Sequence, residues 1–219
     1  GIAAGRMTRT HVAGYVAGFP IPEVLQGINA FTLGMRSVDP KAQVKVVWLG
    51  TWFDPARERD AAMTLFNQDV DVIAFHTAST AVMTAAQERG KMAVAYHSDM
   101  RKVAPDAQIV AVTHHWGDYY ARRVQAVLDG TWKSGSVWGG VREAMVRAGD
   151  FGSKVPKAVQ DEVLARQKEI ALGKLRPFAG PISDNEGKQV LAPGQTLTDE
   201  QILGMNFLVA GVQGKIAKQ

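Results

Sequence analysis

"VKVVWLGTWFDPARERDAAMTLFNQDVDVIAFHT", residues 44–77, decides the fold. Two apolar runs rich in β-branched and aromatic residues, 44–52 and 70–77, enclose a segment that opens with Asp54 and Pro55. An aspartate supplies the side-chain acceptor of a helix N-cap, and proline is preorganised for the first helical position. The flanking runs are nearly continuous in apolar residues, as strands covered on both faces are. Strand, helix and strand in this order predict a parallel crossover unit.

The same pattern extends in both directions. Further strands are expected at 12–19, 91–98 and 108–115. Val24, Leu25, Ile28, Phe31 and Met35 fall at helical spacing between the first two strands, and Gly90 stops a helix between the third and fourth. The whole is α/β, a doubly wound and mostly parallel sheet. The link into the fifth strand is too short for a helical crossover, which leaves that strand's direction open. Beyond it a helix ends at Gly130, a strand lies within 137–149, and a long helix starts at Pro156. A hairpin turns at Asp184–Gly187, and Thr198 with Gln201 has capping-box spacing.

Composition excludes several classes. The 219 residues are 46% hydrophobic and 21% charged, which is globular. Basic residues number 25 against 21 acidic, and they are interspersed, so no nucleic-acid surface is indicated. Cysteine is absent, which removes disulfides and thiolate metal sites. No apolar stretch approaches the roughly 18–20 residues that span a bilayer.

In an open parallel sheet, ligands bind outside the carboxyl ends of the strands. Those ends carry Phe19, then Trp52 with Phe53 and Asp54, His76 with Thr77, His97 with Asp99, and His114 with His115 and Trp116. Four of the five histidines share this edge. Imidazoles with a carboxylate are zinc ligands, so His76, His97, His114 and Asp99 form one candidate set. No HExxH motif supports it, and aromatics beside polar groups describe an organic-ligand pocket better. No nucleophile elbow, phosphate loop or dinucleotide fingerprint follows any strand, so a binding protein is expected, not an enzyme, with no cofactor. Trp116, Tyr119 and Tyr120 are expected to pack.

"GYVAGFPIPEVLQGINAFTLG", "VVWLGTWFDPARERDAA", "DVIAFHTAS", "AYHSDM" and "WGDYYARRVQAVLDGTW", with the tail "FAGPISDNEGKQVLAPGQTLTDEQILGMNFLVAGVQGKI", resemble the basic membrane protein family of bacterial ABC-transporter solute-binding proteins. The resemblance implies a class I periplasmic-binding-protein-like fold of two lobes joined by a hinge. These 219 residues would hold one full lobe and segments of the second. Residues 1–11 would be a remnant of the N-terminal lobe, 12–115 the C-terminal α/β lobe, and 116–219 a crossover helix with segments returning between lobes. With most of one lobe absent, binding by this chain is expected to be weakened.

The implied ligand is a purine base or nucleoside, and the implied partner an ABC permease, on the periplasmic or extracytoplasmic side of the membrane. Membrane association would come only through a lipid anchor upstream. By resemblance Trp52 stacks on the purine and Asp99 bonds ribose hydroxyls or a base edge. Phe19, His76, Thr77, His97 and His114 complete the expected pocket. Nucleoside-binding members carry a lysine near His114, and its absence here favours a free base such as adenine. The alternatives are zinc capture by the histidine set and the ligand-sensing domain of a regulator.

Overall fold

The computed structural model describes residues 1–216. In chain order the elements are α1 (Ile2–Met7), β1 (Val12–Ala17), α2 (Pro22–Val38), β2 (Gln43–Trp48), α3 (Pro55–Phe66), β3 (Val72–His76), α4 (Ala81–Glu88), β4 (Met92–His97), β5 (Gln108–His114), α5 (Gly117–Leu128), β6 (Val146–Gly149), α6 (Lys157–Ala171), β7 (Ile182–Ser183), β8 (Gln189–Leu191), α7 (Asp199–Leu203) and β9 (Val212–Gln213).

Seven strands form one sheet in the order β6-β5-β4-β3-β1-β2-β9. Only the edge strand β6 runs antiparallel to its neighbour; all other pairs are parallel. The fifth strand is therefore parallel. Its crossover needs no helix, because Met100 and Ala104 are buried there and the Met100 N–H donates to the buried Gln108 side chain at 2.8 Å.

Each face of the sheet is covered. Val24, Leu25, Ile28, Phe31 and Met35 of α2 are all buried, with Ala3 and Ala4 of α1, in the core on one face. Ala61, Ala62 and Leu65 of α3 and Val82, Met83 and Ala86 of α4 pack on the other. Each large aliphatic side chain fully removed from water contributes about 1.5–3 kcal/mol. Residues on both sides of the expected division at 115 build this one sheet, since β6 and β9 form its two edges. Residues 1–11 likewise contribute to its core through Ala3 and Ala4.

The local signals act as expected. Asp54 caps α3 by accepting the Arg57 N–H at 3.1 Å. Thr198 and Gln201 form a reciprocal capping box on α7. The strand expected over 44–52 ends earlier, at Trp48. Gly50 at φ +68° turns the chain, so residues 51–54 leave the sheet as a loop carrying Trp52. From β1 the chain moves to β2 on one side and returns to β3 on the other. The loops leaving β1 and β3 therefore diverge, and it is at such a point of the carboxyl edge that open α/β sheets bind ligands.

The longest element without a buried side chain among the described residues is α5. Its Val124, Val127 and Leu128 are exposed, as are Trp132 and Trp138 beyond it.

Candidate ligand-binding site

Aromatic and imidazole rings run unbroken across the carboxyl ends of five strands. Phe19 after β1 meets Trp52 edge-on at a centroid separation of 5.0 Å, and Trp52 lies 6.0 Å from His76 at the end of β3. His76 is 4.5 Å from Tyr96, which lies 3.8 Å from His97, both at the end of β4. His97 is 5.2 Å from His114 on β5, and His114 is 5.0 Å from Trp116. Five of the residues expected at the site, Phe19, Trp52, His76, His97 and His114, are thus brought together.

Backbone geometry places these rings. A Cβ on Gly18 would lie 2.6 Å from the Trp52 ring, so only glycine lets that ring lie against β1's exit. His97 adopts φ +71°, a conformation costly for a residue with a side chain. That turn sets its ring on Tyr96 instead of continuing the strand. Trp52 is 40% exposed, so its stacking face is available to a ligand.

The imidazoles are uncharged at neutral pH. Burial, then the neighbouring His97 and His114, lowers His76 from 6.5 to about 4. Burial also lowers His97 and His114, the latter against an opposing pull from Glu23. Tyr96 is pushed up to about 12, chiefly by burial, and keeps its proton. Its hydroxyl lies 3.1 Å from His76 Nε2. His114 Nδ1 is buried with no hydrogen-bond partner among the described residues.

Two of the expected residues bond protein partners. Asp99 accepts from Arg101 through both carboxylate oxygens at 2.7–3.0 Å and from Gln108 at 2.9 Å, and the Arg101 bonds draw it down to about 2. An arginine only two residues on captures the carboxylate, which the strand-end pattern did not reveal. The Thr77 hydroxyl donates to buried Glu58 at 2.8 Å. Among the described residues no group of three or more His, Asp or Glu could hold a metal ion. The zinc set is not assembled, because Asp99 turns to Arg101 while the histidines pack ring against ring.

Sequence reasoning missed Tyr96, which sits inside the β4 run and reads as core, and Glu58, which reads as the solvent face of α3. Trp116, expected to pack, is 43% exposed and extends the row of rings. A separate cleft of about 610 Å³ opens beside Phe53, Pro55, Arg59, Ser79, Thr80 and Thr84. Its cation Arg59 is already paired with Glu88, so it has no unspent charge with which to hold a ligand.

A covered, mostly parallel sheet with a row of rings at its switch point defines an α/β protein of the periplasmic-binding kind. The chain belongs to the family of ABC transporter substrate-binding proteins described as PnrA-like, whose model matches residues 1–185. A purine-binding protein of Brucella abortus is 46% identical over 99% of this chain. A Haloferax volcanii protein provisionally named as an ABC transporter glucose-binding protein is 32% identical over 99%. The chain spans 61% and 53% of the lengths of these two relatives.

Solved structures agree in fold. A transcriptional activator of the comK gene from Bacillus halodurans superposes with a TM-score of 0.70 at 24% identity, covering 80% of this chain and 62% of that one. An ABC transporter solute-binding protein from Conexibacter woesei does so with a TM-score of 0.62 at 19% identity, covering 80% and 59%. ABC transporter substrate-binding proteins act outside the cytoplasm and deliver a ligand without transforming it. Among the described residues no helix is long and apolar enough to cross a membrane.

Proposed function

We propose that this chain carries the ligand-stacking crevice of an ABC-importer substrate-binding protein, and that its ligand is an uncharged purine base or nucleoside. The observation that carries this reading is the uncharged row of rings at the switch point, Phe19, Trp52, His76, Tyr96, His97 and His114. Stacking a base on an aromatic ring is worth about 1–3 kcal/mol and tolerates any base. Neutral imidazoles present one donor and one acceptor each, which suits the mixed edge of a heterocycle.

A nucleotide fits poorly, because the Glu23 carboxylate 3.7 Å from His76 Nε2 would repel a phosphate beside the rings. On this reading Thr77 and Asp99 support the crevice and do not touch the ligand. In the whole protein a permease receives the ligand on the extracytoplasmic side, where a lipid anchor holds the binding protein.

Calorimetry with adenine, guanosine, adenosine monophosphate and glucose tests the proposal. Binding of the base or nucleoside, with the monophosphate at least about tenfold weaker, is expected. Preference for glucose or for the monophosphate would reject it.

A further inference from the structure

The geometry points to Glu58 as the positioning residue that sets the Trp52 ring against His76, an inference that rests on the purine reading. Glu58 is a fully buried carboxylate on α3, away from the row of rings. One of its oxygens accepts from the Thr77 hydroxyl at 2.8 Å and from the Ser79 hydroxyl at 2.7 Å. The other accepts the Asp54 N–H at 3.1 Å. Ser79 Oγ itself accepts the Ala81 N–H at 3.1 Å, which turns its hydrogen toward Glu58.

These bonds join the loop that follows β2 to the loop that follows β3. Asp54 ends the loop carrying Trp52, and Thr77 follows His76 directly. Between them the Ala78 N–H donates to the Trp52 carbonyl at 2.8 Å. A buried carboxylate is costly unless its acceptors are filled, and here every bond it makes reaches one of these loops or the foot of its own helix. Glu58 thereby fixes how far the Trp52 ring stands from His76, which is the opening a planar ligand enters.

Glu58→Gln keeps the volume but sets an NH2 group against either the two hydroxyls or the Asp54 N–H, all of which donate to Glu58. The test is a double-mutant cycle on guanosine affinity with Glu58→Gln and Trp52→Leu, read by NMR titration so that weak binding stays measurable, with thermal unfolding alongside. Glu58→Gln alone is expected to weaken binding about tenfold, the scale of one weakened charge-assisted hydrogen bond, with the protein fully folded at the assay temperature. In the Trp52→Leu background it should cost nothing further, because the ring through which it acts is gone. Equal losses in both backgrounds, or no loss in either, would overturn the assignment. If the unmutated chain binds no purine, the purine reading fails by itself and near-UV circular dichroism decides for Glu58. The Trp52 contribution, taken as the difference from Trp52→Leu, should collapse in Glu58→Gln; its persistence would overturn the inference.

Discussion

Acid should destabilise the fold through His76 before it reaches the carboxylates. His76 is lowered from 6.5 to about 4, so below pH 6.5 the unfolded chain takes up a proton that the folded chain refuses. Stability is then full above pH 6.5 and lost as pH falls toward about 4. For one such group the loss between pH 7 and pH 5 is about 2 kcal/mol, which for a chain of this size lowers the melting temperature by roughly 4–8 °C. His97 and His114 are lowered as well and add in the same direction, while Glu23, 3.7 Å from His76 Nε2, opposes. The most depressed carboxylate, Asp99 at about 2, titrates well below this window. Urea unfolding of the wild type and His76→Gln at pH 7 and pH 5 isolates the effect, because glutamine still bonds Tyr96 but does not titrate. The variant should lose less stability than the wild type by about 2 kcal/mol over that interval. Equal losses in both proteins would refute the assignment of a buried neutral His76.

Trp52→Leu should weaken guanosine binding by about 1–3 kcal/mol while barely moving the melting temperature, since the ring is already 40% exposed. Gly18→Ala places a methyl group 2.6 Å from that ring and should displace it, shifting tryptophan emission and weakening binding by about 1–3 kcal/mol. Asp99→Asn breaks a half-exposed pair with Arg101, so stability should fall by less than about 1 kcal/mol and affinity should change less than about twofold. A large affinity loss in that variant would return Asp99 to the ligand's contacts.

The fold was legible because its signals are local. Asp54 and Pro55 start α3, Gly90 ends the helix after β3, and the five apolar positions of α2 are all buried. The direction of β5 was not legible, since turns replace a helix in its crossover and no pattern marks a chain packed by Met100 and Ala104. Within the site, histidines and aromatics at strand ends could be read because strand polarity puts them on one edge. The partners of Glu58 and Asp99 could not. Whether a carboxylate is spent inward depends on partners such as Thr77 and Arg101, whose side-chain directions only the folded backbone sets. Trp52 was placed at a strand end, yet it owes its position to the turn at Gly50.

The central claim is that a neutral purine lies on the row of rings at the switch point, and the five histidines provide the readout. His76, His97 and His114 belong to that row, whereas His11 pairs with Asp39 and His115 with Thr113. Imidazole proton resonances should be followed as guanosine is titrated into the 219-residue chain. The account predicts ring-current shifts for His76, His97 and His114, with His11 unmoved and His115 moved least among the rest. Binding that leaves those three resonances in place would contradict it.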